Sequence, residues 1–295
     1  MVTAKQTPQA LLDEAIARHN PSHIFSCLSG GHDSLTVTHF AAQYLKDRLD
    51  AVVHINTGIG IEETREFVRD TCNNFGWRLL EYKATENTKA DGTPDPMIYR
   101  DLVLKHGFPG PYGHGLMYAR LKERQLKRLI RDHKQKGRKI LLVSGIRQEE
   151  SSRRMRLKEP ISEQGSFYWV NPFFFQDELF VDRYMKEHAL PRNPVKDTFC
   201  MSGECLCGAF AHKGELEELE FHYPETARVI RDLEKEVRAA GFPWGWEEQV
   251  PNWWSARQSA KKAGQVDAFE QETEDEIRMM CTTCEIEYEK AKECI

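Results

Sequence analysis

No stretch of the 295 residues comes near the run of about 20 apolar residues that a membrane-spanning helix needs, so no membrane partner is expected. The opening residues Met1-Val2-Thr3-Ala4-Lys5-Gln6 lack the apolar core of a secretion signal, and a cytoplasmic protein is the expectation. Internal repeats are absent, and low complexity is confined to the acidic stretch from Glu270 to Glu276, which reads as a solvated helix start. Positive charge is not in excess: the formal net charge of −5 argues against bulk electrostatic attraction to nucleic acid. The Gly-rich loop at residues 29–34 lacks the Gly-Lys-Ser/Thr ending of a Walker A motif, which excludes the usual kinase or GTPase reading. No side chain stands out as a general base.

What is present is ordinary in bulk and specific in detail. A hydrophobic content of 40% and a charged content of 29% suit a globular protein. The length fits one large α/β domain, taken as residues 1–210, followed by a smaller helical region, 211–295. The most informative segment is Ser29-Gly30-Gly31-His32-Asp33-Ser34, which directly follows the apolar run Ile24-Phe25-Ser26-Cys27-Leu28. A strand thus enters a loop of tiny residues and a helix starts at Ser34. Glycines without a Cβ let the backbone approach an anion, and the helix N-terminus aims N–H groups and its dipole at the same spot. The hydroxyls of Ser29 and Ser34 can add to that cradle. Asp33 can hold the loop's shape or help bind Mg²⁺, a cation that takes oxygen ligands.

Along the chain, Thr7-Pro8 reads as a helix cap with proline at the first helical position. Strands are expected at His23 to Leu28, Ala51 to Ile55, Arg78 to Tyr82 and Lys139 to Ser144, with helices at Ser34 to Leu49, Glu62 to Phe75 and Leu116 to Lys136. Residues 84–114, rich in Gly and Pro, read as a long loop or a short helical insert. After about residue 170 helices are expected at Asp177 to His188, Glu215 to Ala240 and Thr273 to Lys292, with a tryptophan-rich segment holding Trp244, Trp246, Trp253 and Trp254. Alternating strands and helices predict a doubly wound, largely parallel α/β sheet covered on both faces, with a helical C-terminal part.

Eight cysteines fall into distinct settings. Cys27 and Cys72 sit in apolar surroundings and read as core thiols. Cys200, Cys205, Cys207, Cys281 and Cys284 form two tight groups, and Cys294 lies near the end. Thiolate ligation by four such residues suits an iron–sulfur cluster or zinc, with one candidate to spare. His212, nearby, reads as structural.

Several signals occur in a fixed order. After the Ser29–Ser34 loop come His54-Ile55-Asn56-Thr57-Gly58 with Glu63-Thr64, then Gly145-Ile146-Arg147 with Ser151, Ser152 and Arg153, then Asn171-Pro172-Phe173 and Leu190-Pro191-Arg192-Asn193-Pro194 before the first cysteines. Over roughly residues 22–210 this resembles the phosphoadenosine phosphosulfate (PAPS) reductase family of the adenine-nucleotide α-hydrolase (PP-loop) superfamily. The resemblance implies an α-hydrolase-like fold that binds ATP or another adenine nucleotide off the carboxyl ends of the strands. It implies that Ser29, Gly30, Gly31, His32, Asp33 and Ser34 hold pyrophosphate, that Asn56 and Thr57 flank adenosine, and that Gly145, Arg147 and Arg153 meet phosphate or sulfate, with Arg154 and Lys122 as further candidates. Asp33, Arg147 and Lys122 are the expected catalytic groups. It also implies a 4Fe-4S cluster in preference to zinc, held by four of Cys200, Cys205, Cys207, Cys281 and Cys284.

True reductases of this family resemble one another in a degenerate phosphate loop and a C-terminal Glu-Cys-Gly-Leu-His-like segment. Here the loop is intact, with His32 where lysine is common, and Glu293-Cys294-Ile295 is a truncated echo. The chain therefore looks most like the ATP pyrophosphatases of DNA phosphorothioation systems, which cleave ATP to AMP and pyrophosphate to activate a substrate for sulfur chemistry. The partners this implies are a sulfur-donor protein or modification complex and a homo-oligomeric state. A reductase, a tRNA thiolation enzyme and a non-catalytic nucleotide-binding module are the alternatives. The basic helix 118–139 and the tryptophans allow nucleic-acid contact without requiring it.

Overall fold

The computed structural model describes residues 6–89, 92–95, 98–150, 159–165 and 167–252. These fall into two compact units: one of residues up to Thr57, Ile61–Ala84 and Glu123–Glu204, the other of Gly58–Gly60, Thr85–Lys122 and the described residues from Cys205 onward. Arg153, Arg154, Cys281, Cys284, Cys294, Trp253, Trp254 and the expected last helix lie outside the described residues.

The first unit is built on six strands: β1 Ile24–Cys27, β2 Ala51–Asn56, β3 Leu79–Lys83, β4 Ile140–Val143, β5 Ile161–Gln164 and β6 Phe167–Val170. Their order is β3-β2-β1-β4-β6-β5, parallel throughout except for the antiparallel β5–β6 pair. The parallel strands read as continuous apolar runs because both faces are covered. The β5–β6 hairpin was not among the expected strands, since Phe167-Tyr168-Trp169-Val170 is a short apolar run whose period does not separate strand from helix.

The helices of this unit are α1 Pro8–His19, α2 His32–Leu45, α3 Glu62–Phe75, α6 Arg124–His133, α7 Glu178–Glu187 and α8 Pro194–Phe199; α4 Ile98–His106, α5 Gly110–Met117, α9 Glu215–His222 and α10 Pro224–Ala239 belong to the second. Local chemistry sets several ends. Thr7 Oγ1 accepts from Ala10 N at 3.2 Å ahead of α1, Asp177 Oδ1 accepts from Phe180 N at 2.7 Å ahead of α7, and Gly76 closes α3 at a φ of +68°.

Side-chain alternation divides the faces of the sheet. Ile24 joins Leu11, Leu12, Val37, Phe40 and Phe173, and Leu28 joins Leu35, Val52, Val68 and Met185, so α1, α2, α3 and α7 are packed on the sheet. Between them Ser26 and Thr38 satisfy each other at 2.8 Å. Phe25 points the opposite way, to His133 of α6 at 5.0 Å between ring centroids. Each fully buried Leu, Val or Phe contributes about 1.5–3 kcal/mol. Burial also pushes the thiols of Cys27 and Cys72 up to about 12, as expected for core cysteines.

In the second unit, buried aromatics grip the chain around Cys205 and Cys207. Trp246 Nε1 donates to Leu206 O at 2.8 Å, Tyr99 Oη to Cys207 O at 3.0 Å, and Trp244 Nε1 to Phe108 O at 3.0 Å. Trp244 and Trp246 are thereby spent on the core and present no face to a base. The insert at 84–114 contains helix α4, and the helix expected over Leu116 to Lys136 is helical in pieces, with π-helical turns at Tyr118–Glu123 between α5 and α6. The helix expected over Glu215 to Ala240 breaks at Tyr223-Pro224, because proline supplies no N–H and starts a new helix at its first position. No helix among the described residues is long and apolar enough to cross a membrane.

Candidate nucleotide site

In the first unit the chain runs β1, β2, β3 outward and then returns to place β4 on the other side of β1. That reversal makes β1 and β4 the topological switch point, where an open parallel sheet leaves a crevice beyond its carboxyl ends. Ser29–Ser34 leaves β1 and Gly145–Arg147 leaves β4, so both segments meet at this crevice.

The loop is held in shape by its own serines. Ser34 Oγ donates to Gly31 O at 2.8 Å, accepts from Ser29 N at 3.2 Å and lies 3.1 Å from Ser29 Oγ. Gly30 adopts a φ of +87°, and a Cβ there would lie 2.7 Å from Thr64 Cγ2. Gly31 occupies the cap position of α2 and, having no side chain, leaves the first-turn N–H groups uncapped. Strand, glycine turn and helix start follow in the order the sequence predicts, with α2 starting at His32 rather than Ser34.

Arg147 and Asp33 join the two segments: Arg147 Nε donates to Asp33 Oδ1 at 2.5 Å, with Arg147 buried and Asp33 29% exposed. Gly145 makes this approach feasible, because a Cβ there would come within 2.6 Å of the Asp33 carbonyl carbon and 2.8 Å of Ser34 N. Asp33 thus acts on loop shape through Arg147, and both lie at the switch point. Lys122, in contrast, is buried in the π-helical turns of the second unit.

A second set of contacts, which sequence reasoning missed, braces the loop from later in the chain. Asn193 Nδ2 donates to Gly30 O at 3.0 Å and to Thr64 Oγ1 at 3.2 Å, while Asn193 Oδ1 accepts from Val195 N at 3.0 Å and caps α8. Thr64 Oγ1 in turn donates to Ser202 O at 2.5 Å. The Asn193-Pro194 pair, a capping residue before a first-position proline, was the available signal.

At the end of β2, Thr57 N donates to Glu204 Oε1 at 3.0 Å and Thr57 Oγ1 donates to Glu204 O at 2.8 Å. Asn56 Nδ2 donates to Glu81 Oε1 at 2.7 Å. His54 Nδ1 donates to Leu28 O at 2.8 Å, which turns Nε2 toward Glu204 Oε2 at 3.1 Å, an ion pair lying off the hydrogen-bond line. Burial opposes a charged His54, but the Glu204 carboxylate outweighs it and holds the imidazole above its ordinary range. Nothing around Glu204 in the sequence marks it for this role.

His32, the first residue of α2, is mostly buried, and its Nε2 has no hydrogen-bond partner. Burial, then the charges of Arg192 and Lys196, lower its pKa, so the loop carries a neutral imidazole at pH 7. Of the expected metal ligands, Cys200 is exposed at the end of α8 in the first unit, while Cys205 and Cys207 lie in the second, near enough to the Tyr99 hydroxyl that burial and both thiols raise it well above its usual range. Among the described residues no group of three or more His, Cys, Asp or Glu side chains is placed to hold a metal ion.

Known proteins give one decisive likeness. The family model of the phosphoadenosine phosphosulfate reductase domain matches residues 23–203, which span the whole sheet. No curated protein matches the chain. Solved structures resemble the chain only at low identity. A phosphoadenylyl-sulfate reductase from Candida auris in a phosphate complex is 18% identical, with 65% of this chain and 85% of that chain covered at a TM-score of 0.46. An FMN adenylyltransferase from Candida glabrata in complex with ATP is 15% identical, covering 65% of this chain and 56% of that one at 0.44. A U34-tRNA thiolase from Methanococcus maripaludis with its 4Fe-4S cluster is 14% identical, covering 85% and 89% at 0.38. With a parallel sheet reversing at β1 and β4, a glycine loop on the switch point and a family match over more than half its length, the chain belongs to the phosphoadenosine phosphosulfate reductase family.

Proposed function

We propose that the protein is an ATP pyrophosphatase that activates a substrate for sulfur chemistry. The observation carrying this reading is the intact loop Ser29–Ser34, whose two serine hydroxyls converge beside the uncapped first turn of α2. Such a cradle suits the β- and γ-phosphates of ATP. An oxygen of the acceptor attacks the α-phosphorus, the bond from that phosphorus to the β-phosphate bridging oxygen breaks, and pyrophosphate leaves into the loop. The loop N–H groups stabilise the charge that builds on the leaving group. A sulfur nucleophile then displaces AMP from the activated acceptor. Positioning supplies much of the rate in this scheme, which accords with the lack of an evident general base.

Asn56 and Thr57 at the end of β2 flank adenosine, and Gly145 faces the phosphates, with Arg153 a further candidate for anion contact on the family resemblance. Arg147 orients Asp33, and Asp33 is the group that would hold Mg²⁺, which supplies further charge neutralisation for the polyphosphate when bound. Four of Cys200, Cys205, Cys207, Cys281 and Cys284 hold a 4Fe-4S cluster, consistent with an all-thiolate donor set; zinc is the competing metal.

The family name itself favours a second reading, a thiol-dependent sulfonucleotide reductase. Purified protein given ATP and Mg²⁺ should release pyrophosphate; absence of release together with thiol-dependent sulfite formation from PAPS would establish the reductase instead. The purified protein should be brown, with iron and sulfide that are lost when Cys205 and Cys207 are both replaced by serine, and a colourless, zinc-loaded protein would refute the cluster.

A further inference from the structure

Beside the phosphate loop stands an ion pair that the reading above leaves unused, Arg192 and Asp197 around α8, facing His32 of the loop. Asp197 holds Arg192 through both oxygens, at 3.1 Å from Nε to each and 2.6 Å from Nη2 to Oδ1. The same Oδ1 lies 3.8 Å from His32 Nε2, so the guanidinium is no farther from the loop imidazole than those two contacts end to end. Asn193, next to Arg192, is bonded to Gly30 O, which fixes this cluster to the loop.

Three features of the cluster point to a ligand. His32 Nε2 is buried without a hydrogen-bond partner. The guanidinium is 53% exposed and Asp197 40% exposed, so their ion pair is screened and cheap to exchange. A guanidinium that grips a carboxylate in bidentate fashion can grip a phosphate in the same geometry, and more strongly. Arg147, the guanidinium that meets the loop, is engaged by Asp33.

Resting on the ATP reading, we propose that Arg192, assisted by His32, forms a subsite for the terminal phosphate of a nucleoside triphosphate, with Asp197 occupying Arg192 until the phosphate replaces it. The subsite then makes the site selective for a triphosphate or free pyrophosphate over AMP. Asp197 acts as a placeholder that keeps the guanidinium aimed at the loop.

The test is calorimetric titration of the full chain with pyrophosphate, α,β-methylene ATP and AMP. Arg192→Ala should weaken binding of pyrophosphate and the ATP analogue about tenfold and leave AMP unchanged. Asp197→Asn, which frees the guanidinium, should tighten the same two probes several-fold. Opposite signs from the two partners of one ion pair separate a ligand-reading role from a structural one, in which both variants would weaken binding alike. Equal losses for AMP, same-sign effects, or wild-type affinity in Arg192→Ala would overturn the subsite while leaving the ATP reading standing. A wild-type protein that takes PAPS but neither pyrophosphate nor the ATP analogue would remove both.

Discussion

Replacing Asn193 by alanine isolates the support of the phosphate loop from its chemistry, because Asn193 is completely buried and contacts the loop through a single backbone oxygen. Three bonds disappear: Val195 N to Oδ1, and Nδ2 to Gly30 O and to Thr64 Oγ1. Loss of a helix cap costs about 1 kcal/mol. Leaving the Gly30 carbonyl buried without its donor adds about 1–3 kcal/mol. Thr64 Oγ1 retains its bond to Ser202 O and adds little. The expected destabilisation is therefore about 2–4 kcal/mol in urea unfolding. Val195 N–H should also lose protection in hydrogen exchange, and pyrophosphate binding should weaken as Gly30 relaxes. Asn193→Asp is the control. It keeps the capping oxygen but turns a donor into an acceptor facing the Gly30 carbonyl, so it should be no more stable than the alanine variant. A loss below about 0.5 kcal/mol in Asn193→Ala, or an Asp variant as stable as the wild type, would refute this account of the loop.

Gly145→Ala should abolish most pyrophosphate release and lower stability by about 1–3 kcal/mol, since the new Cβ would meet the backbone of Asp33 and Ser34 and those atoms belong to the loop itself; unchanged turnover would count against the loop's placement. Glu204→Ala should cost about 1–3 kcal/mol in denaturant unfolding, because the buried Thr57 N–H loses this acceptor while His54 sheds its proton, and a loss under about 0.5 kcal/mol would show the contact to be incidental. Glu81 gives an acid-side signature. Burial pushes its carboxyl up, but hydrogen bonds from Arg69 and Asn56 prevail and bring it down to about 2. Its stabilisation is fully present above the ordinary carboxylate range and is lost as pH falls toward about 2. Allowing for screening around the partly exposed Arg69, this amounts to about 1 kcal/mol. Urea midpoints from pH 6 to pH 3 should therefore fall more steeply in the wild type than in Glu81→Gln, and parallel profiles would contradict it.

The parts of this protein readable in its sequence are those governed by local rules. The phosphate loop combined glycines, small hydroxyls and a helix start within six residues, and Glu62 to Phe75 carried both its apolar stripe and its glycine stop. The strands β1 to β4 announced themselves as apolar runs between turns. Other features had no local signature. The helix from Glu215 continued past Pro224 on periodicity alone, whereas the proline restarts it. Lys122, singled out as a catalytic candidate on a basic helix, lies buried in π-helical turns that periodicity does not announce. Glu204 and Asn193 act on segments about 150 residues away in sequence, between Thr57 and Glu204 and between Gly30 and Asn193, and only the folded chain reveals them.

These distant contacts bear on how the loop can function at all. A Gly-Gly turn is conformationally free, and that freedom would be lost on binding an anion, at the expense of affinity. Here the loss is taken up in folding. Gly30 is held by Asn193, Gly31 by Ser34, and Asp33 by Arg147, with Gly145 packed against the same backbone. The supports come from α8, α2 and the end of β4, so no single element can move the loop without straining the others. What such a loop gains in preorganisation it lacks in charge, because Arg147 is neutralised by Asp33 and His32 is held neutral by burial. Part of the positive charge for a polyphosphate tail then comes from the rim. There the Arg192 guanidinium is held by an exposed carboxylate that a phosphate can replace. A rigid loop that fixes position and an exchangeable rim that supplies charge divide the work of binding, and substitutions should separate the two: at Asn193 or Gly145 through geometry, at Arg192 or Asp197 through charge.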